Sequence, residues 1–470
     1  MNEIFWTIDE IIKATGGELL AGKGSPRFTG ISIDSRNISE TDLFVAVKGQ
    51  IHDGHRFIEA VIKKGVRGIV LDRQKLSQVE ARIPHDVCCI IVDDTIRALG
   101  DLAAFHRQRF SIPVVCITGS NGKTTTKEMT ALVLEQKFNT LKTLGNLNNE
   151  FGVPLTIFRM NQTHEAAVLE LGMNHPGEIR RLSQICLPDL GVITNIGPAH
   201  LEGLGSMEKI MSAKGELIEN IKDDGVIILN GDDTYSLRLG DKVRRKVFCF
   251  GQSIYADFRA MDIEKKENTT VFTLELPNEK ISVKLNAPGQ FMVANALAAS
   301  AVGYLNGLSA NEIKSGLEAF RSVKGRMDVK ESRLGFFIID DSYNANPGSM
   351  EAAIKTLASL KGRNNGILVA GDMLELGRDA ERLHGNIGQF AAQSGINRLF
   401  LTGNFANAVK KGAQQQGMLD QDIIIGEKPE LVELLFEFLG PKDWVLVKGS
   451  RGAGMEEIVQ QLEAADVPTA

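Results

Sequence analysis

Short apolar runs that end in Gly, Asp, Asn or Ser recur along the chain, separated by longer stretches whose apolar residues return with a helical period. The first pattern belongs to buried strands and the second to amphipathic helices. Their alternation predicts an α/β protein built on mostly parallel sheets covered on both faces. In residues 1–92 the strand-like runs "TGISIDS", "DLFVAV", "GIVLD" and "CCIIV" make a small α/β unit. Ahead of them "TIDEIIKATGG" predicts a short helix, with Thr7 and Glu10 as a capping box and Gly16 and Gly17 as its stop. A polar helix starting near residue 93 leads into the strand "VVCIT", and further strands are expected at 166–169, 191–194 and 226–229. Between 247 and 283 polar and apolar residues alternate, which predicts short antiparallel strands. An alanine-rich helix follows in "GQFMVANALAASAVGYLNGL". Beyond residue 323, strands at 336–339, 367–370, 399–402, 422–425 and 444–447 alternate with helices as a second doubly wound unit.

A length of 470 residues suits about three domains, and 43% apolar with 24% charged residues is the balance of an ordinary globular protein. The expected domains are 1–92, 93–322 and 323–470. A net charge of -6 without a long basic run offers no electrostatic footprint for nucleic acid. No apolar stretch reaches the roughly 18 residues that span a bilayer. The opening "MNEIFWTIDEIIKATGGELL" also lacks the basic flank and small-residue cleavage site of a secretion signal, so a cytoplasmic protein is expected. Cys88, Cys89, Cys116, Cys186 and Cys249 are odd in number and mostly sit in strand-like runs. Buried reduced thiols are expected, without disulfides or a zinc site.

In "VVCITGSNGKTTTKEM" a strand runs into glycines, a lysine and threonines and then into a helix. Gly119 and Gly122 let backbone N–H groups approach an anion, and the following helix points its positive end at the same place. Lys123 would reach the terminal phosphates, and Thr124 or Thr125 would offer a hydroxyl to Mg²⁺. The usual phosphate loop has a glycine where Ile117 stands, so this is a shortened variant. Glu170 closes the strand "AAVLE", and His200 lies on the loop "NIGPAHLEGLGS" after the next one. A carboxylate and an imidazole at adjacent strand ends suit a metal-nucleotide site. Lys214 falls within the apolar stripe of the helix "SMEKIMSAKGELIENI", which Ser206 caps. Such a lysine either snorkels to the helix edge or, with a lowered pKa, carries a carbamate.

In the third region "GFFIIDDSYNANPGSM" is a buried strand ending in two aspartates, then a polar turn with Asn344 and Asn346 ahead of a helix. The asparagines can hold a small polar substrate or simply form the turn and cap the helix that Pro347 begins. Lys448, Ser450 and Arg451 at another strand end could clamp a carboxylate or phosphate.

Taken in order, "DSR" at 34–36, "DLFVAVKG", "DGHRFI", "TGSNGKTTTKEM", "GNLNNEFGVPLT", "LELGMN", "NIGPAHLEGLGS", "AKGEL", "VKGRM", "DDSYNANPGSM", "GDMLELG" and "LVKGSRGAGME" resemble the Mur ligase family over essentially the whole chain. The resemblance implies a UDP-MurNAc-binding domain, a central P-loop ATPase and a C-terminal Rossmann-like domain that closes over the site. The implied activity is ADP-forming ligation of D-alanyl-D-alanine to UDP-MurNAc-tripeptide through an acyl phosphate, in peptidoglycan synthesis, by a monomer. It assigns Gly119, Ser120, Asn121, Gly122, Lys123, Thr124 and Thr125 to the ATP phosphates, and Thr124, Glu170 and His200 to two Mg²⁺ ions. Lys214 becomes a carbamylated lysine that serves the metal site. Arg326 and Asp341 would contact the nucleotide from the third domain, and Asn295 the adenine. Ser35, Arg36 and Lys48 would face the UDP-sugar, and Asn344 and Asn346 the D-alanyl-D-alanine. Phe291 and Met292 stand where similar ligases often have His and Asn, which loosens the adenine pattern.

The ligase that adds the third peptide residue carries a "DNPR"-like segment, which is absent here. Folylpolyglutamate synthetase shares the central loop, but the N-terminal "DSR" and "DGHRFI" argue against it. A P-loop kinase is the alternative from another class, and it would need no amine.

Overall fold

The structure is a computed structural model that describes residues 4–22, 26–49, 51–241, 243–266 and 268–464. Its N-terminal unit is a five-stranded sheet in the order Glu18–Ala21, Cys88–Val92, Gly68–Asp72, Asp42–Val45, Gly30–Ser32, parallel except at the Glu18–Ala21 edge. The helix Ile8–Thr15 is closed at both ends as its sequence predicts. Thr7 Oγ1 accepts from Glu10 N at 3.2 Å, Glu10 Oε2 accepts from Thr7 N at 2.9 Å, and Gly16 takes the left-handed φ of 66°. Replacing Thr7 with alanine opens the cap, and thermal denaturation should show a loss of about 1 kcal/mol.

The central sheet has nine strands. From the Thr140–Lys142 edge it runs through β2 (Ala166–Glu170), β1 (Val114–Thr118) and β3 (Leu190–Ile193) to Val226–Asn230, Lys246–Gly251, Phe258–Lys266, Thr269–Glu275 and Lys280–Leu285. Pairing is parallel up to Phe258–Lys266, and only the last two pairs are antiparallel. The expected antiparallel addition therefore starts one strand late. Lys246–Gly251 contains the unbroken apolar run Val247 to Phe250, the pattern of a strand covered on both faces, and alternation begins only with Phe258.

The third unit is a six-stranded sheet in the order Asp328–Glu331, β4 (Phe337–Asp341), β5 (Trp444–Lys448), Gly366–Ala370, Arg398–Leu401, Ile423–Ile425, parallel except at its first edge. The strands absent from the sequence reading (Trp6–Thr7, Glu18–Ala21, Arg27–Phe28, Thr140–Lys142 and Asp328–Glu331) are short, and most lie at sheet edges where one side stays polar. One hydrophobic cluster joins the central sheet, the helix Gln290–Leu305 and the third unit, through residues such as Met292, Met327 and Met350. All five cysteines are free thiols, four of them buried. Among the described residues no helix is long and apolar enough to cross a membrane.

Candidate active site

Strand register brings the candidate chemistry to one edge. Glu170 pairs with Ile117, and Ile193 with Thr118, so the loops after β1, β2 and β3 open side by side at the carboxyl end of the sheet. Ile117 is a buried strand residue, and the turn starts only at Gly119, so no glycine is required at 117. Gly119 has φ 151° and Gly122 φ 80°, and a Cβ on Gly119 would lie 1.9 Å from Thr194 Oγ1. The loop after β3 clasps this turn. Ser120 N donates to Asn195 O and Asn121 N to Asn195 Oδ1, both at 2.9 Å, while Thr194 Oγ1 donates to Asn121 O at 2.6 Å. Gly122 opens α1 (Lys123–Leu134), and no side chain caps its first turn, so its N–H groups remain available to an anion.

Lys123 Nζ donates to Gly119 O at 2.8 Å. Burial lowers its pKa, Glu170 pulls it back up and Arg326 lowers it further. The hydroxyls of the buried Thr124 and Thr125 have no hydrogen-bond partner among the described residues. Glu170 is 1% exposed; Oε1 accepts from Asn148 Nδ2 at 2.8 Å, but Oε2 is buried without a partner. A buried carboxylate oxygen left open is costly unless a cation meets it, so this site fits Mg²⁺. No group of three or more His, Cys, Asp or Glu gathers among the described residues.

Helix α3 (Met207–Glu219) follows Glu178–Cys186, which we call α2. Ser206 Oγ caps α3, and Lys214 on it is 1% exposed. Lys214 does not snorkel. It has no hydrogen-bond or ion-pair partner among the described residues, and burial, with the charge of Lys123 nearby, holds its pKa well below the ordinary lysine value. Two residues on, Glu216 accepts from Gly177 N at 2.8 Å and Arg180 N at 3.0 Å, fastening α3 to the start of α2.

The third unit supplies the facing wall of a cavity of about 1180 Å³, and Lys48 of the first unit reaches it too. Asp341, at the end of β4, accepts from Lys448 Nζ at 2.5 Å and from Met327 N at 3.0 Å. Lys448 also donates to Asn344 O at 2.8 Å. Burial pushes the Asp341 carboxyl up, although Lys448 and Arg326 pull it down. The Arg326 guanidinium lies 4.2 Å from the centre of the Tyr343 ring. Asn346 caps α4 (Pro347–Leu360) through Ser349 N, while its Nδ2 donates to Asn121 Oδ1 of the phosphate loop at 2.7 Å.

Three segments match family models: residues 27–107 the Mur ligase family catalytic domain, 117–303 the Mur ligase middle domain and 325–451 the Mur ligase glutamate ligase domain. Over 461 residues the chain is 36% identical to the UDP-N-acetylmuramoyl-tripeptide–D-alanyl-D-alanine ligase of Escherichia coli (strain K12), covering 97% of this chain and 98% of that one. The chain belongs to the Mur ligase family. As a Mur ligase it also resembles the solved MurF of Acinetobacter baumannii, with a TM-score of 0.89, 32% identity and coverage of 99% and 100% of the two chains. MurF of Thermotoga maritima, solved in complex with ADP, gives a TM-score of 0.81 at 29% identity, with coverage of 92% and 97%.

In this Mur ligase most of the residues singled out from the sequence line one cavity: residues 120–125, Glu170, His200, Asn295, Arg326, Asp341, Asn344, Asn346 and Lys48. Gly119 and Lys214 are buried and do not line it. Ser35 and Arg36 do not line it; the Arg36 side chain is 84% exposed and pairs with Asp34, whose carboxyl it holds down to about 2. Asn295 Oδ1 accepts from Thr126 Oγ1 at 3.2 Å, whereas its Nδ2 is buried and unpaired, and Phe291 and Met292 line the cavity beside it. Of the three residues expected to form a clamp, only Lys448 enters the site. Ser450 Oγ accepts from Leu374 N at 2.8 Å and donates to Ala345 O at 3.2 Å, and Arg451 pairs with Glu456. Sequence reasoning gave no role to Asn148, Thr194, Asn195, Glu216 or Glu375. Four of them lie inside motifs noted for the family, and Thr194 directly precedes one, but nothing local says which backbone or side chain each one meets.

Proposed function

We propose that this Mur ligase joins D-alanyl-D-alanine to UDP-MurNAc-tripeptide with consumption of ATP, forming the UDP-MurNAc-pentapeptide precursor of peptidoglycan in the cytoplasm. The observation that carries this reading is the cavity itself, where an open phosphate cradle faces Arg326 and the Asp341–Lys448 pair on one side and Lys48 on another. In this reading residues 1–92 hold the UDP-sugar, 93–322 the ATP, and 323–470 close the site.

The first step transfers the γ-phosphoryl group of ATP to the terminal carboxylate of the tripeptide, giving an acyl phosphate and ADP. The amine of D-alanyl-D-alanine then attacks the acyl carbon, and inorganic phosphate leaves as the amide forms. Lys123 and the open first turn of α1 meet the charge on the transferred group with groups already in place. Arg326 approaches from the opposite wall. Glu170, His200 and Thr124 would hold Mg²⁺, whose chemistry when bound is to neutralise the phosphate oxygens. Asn344 faces the dipeptide, while Asn346 steadies the phosphate loop through Asn121. A cavity walled by all three units keeps water from the acyl phosphate.

Lys214 is assigned as a carbamylated lysine. A neutral buried amine is the form that reacts with CO₂, and the carbamate would exchange a cation for a negative charge near Lys123, where it could serve the metal site. Lys214→Ala should cut turnover about 10²-fold, with partial recovery on adding a short carboxylic acid, and ¹³C-bicarbonate should give a carbamate NMR signal in the wild type alone. Unchanged turnover refutes this role. For the reaction as a whole, phosphate release should require ATP, Mg²⁺, UDP-MurNAc-tripeptide and D-alanyl-D-alanine together. Steady turnover with the dipeptide omitted would instead mark a kinase or an ATPase.

A further inference from the structure

Beyond the groups assigned above, one carboxylate from the third unit touches the central site directly. His200 Nδ1 lies 2.6 Å from Glu375 Oε2, across 175 residues of chain. A carboxylate can only accept, so Nδ1 carries the proton, and Nε2, which has no partner among the described residues, is left as the nitrogen free to ligate. We propose that Glu375 is a positioning residue: from the third unit it sets the tautomer and orientation of the His200 imidazole, so that this metal-binding group is fixed only while the third unit is docked. The proposal rests on the reading of His200 as a metal ligand.

The contact is built rather than incidental. Glu202 N donates to Glu375 O at 3.0 Å, which locks the two loops in register beside the side-chain bond. Both partners are non-glycine residues in the left-handed region, His200 at φ 57° and Glu375 at φ 62°. Such backbone persists only where its surroundings hold it. For Glu375 those surroundings belong to the third unit. Met373 N donates to His384 Nε2 at 2.9 Å, Leu374 N donates to Ser450 Oγ at 2.8 Å, and Leu376 is buried in the core. The Glu375 side chain is 53% exposed, so the pair adds little to stability and gives no reason by itself for two strained residues to meet. Orienting an imidazole at a ligand site does give one, because a histidine that binds metal commonly donates its other ring N–H to a carboxylate.

The test uses the full-length enzyme and Mn²⁺ alone as probe, followed by electron paramagnetic resonance. Glu375→Ala should weaken Mn²⁺ binding about tenfold and abolish the Nδ1–H tautomer preference of His200 in ¹⁵N NMR, with the unfolding midpoint unchanged. Glu375→Gln, whose amide oxygen still accepts, should restore most of both. In a His200→Ala background, which itself weakens Mn²⁺ binding, Glu375→Ala should have no further effect. If His200→Ala weakens Mn²⁺ binding and Glu375→Ala leaves both affinity and tautomer as in the wild type, the positioning role is overturned. If His200→Ala leaves the affinity intact, the metal reading of His200 falls and the proposal falls with it.

Discussion

Lys123→Met is expected to lower kcat about 10³-fold without lowering the unfolding midpoint. That factor corresponds to about 4 kcal/mol of transition-state stabilisation. Its origin is local: the ammonium lies behind an uncapped helix start, and its one hydrogen bond among the described residues is to Gly119 O. An arriving phosphate would therefore meet a cation already partly desolvated and held at the loop by that bond. Interactions that strengthen as charge develops, in a site that excludes water, are typically worth 10²–10³-fold each. The fold loses little, since methionine fills nearly the same space and removes a partly buried charge that desolvation already disfavours. Steady-state kinetics with thermal denaturation decides the matter. A variant with kcat within tenfold of the wild type would show that Lys123 is not the phosphate-facing cation.

The second large effect is on stability. Lys448→Met should remove about 3 kcal/mol from the unfolding of the third unit, because it leaves Asp341 buried with Met327 N as its remaining donor. The pH dependence has a definite sign. Asp341 is already raised above the ordinary 3.8, and losing Lys448, which pulls it down, raises it further. Above its unfolded pKa and below its folded one, the folded state then binds more protons than the unfolded state, so stability falls as pH rises through that window. The variant should be close to wild type in acid and weakest at neutral pH. Adding Asp341→Asn should return most of the stability at neutral pH, since an absent ion pair costs less than half of one. A flat pH dependence in denaturant titrations would show that Asp341 and Lys448 are not coupled in this way.

Much of the site was legible in the sequence because its parts are local. A phosphate loop needs glycines, a lysine and a helix start within a few residues, and all stand in "TGSNGKTTT". Lys214 was marked as out of place by its position in an apolar stripe, but spacing alone could not tell a snorkelling side chain from one 1% exposed. The "DSR" segment was legible as a motif, yet its side chains turn on themselves: Arg36 pairs with Asp34, and the backbone carbonyls of Ser35 and Arg36 accept from Lys64. Asn346 caps the helix that Pro347 begins, one of the two roles its sequence context offers, and the same side chain also reaches the phosphate loop.

By itself the sequence determined the alternation of strand and helix, the caps at Thr7, Ser206 and Asn346, and the chemistry carried at each strand end. Those features depend on neighbours within a turn or a strand, where side-chain type and spacing fix the hydrogen bonds and the buried face. Only the tertiary structure decided which strand ends meet. Asp341 with Lys448, Asn121 with Asn346 and His200 with Glu375 join residues 107, 225 and 175 positions apart. Each pairing follows from strand order or from the docking of one unit on another, which no local pattern encodes. The same holds for the partnerless oxygen of Glu170, since a vacancy shows only when every neighbour is in place.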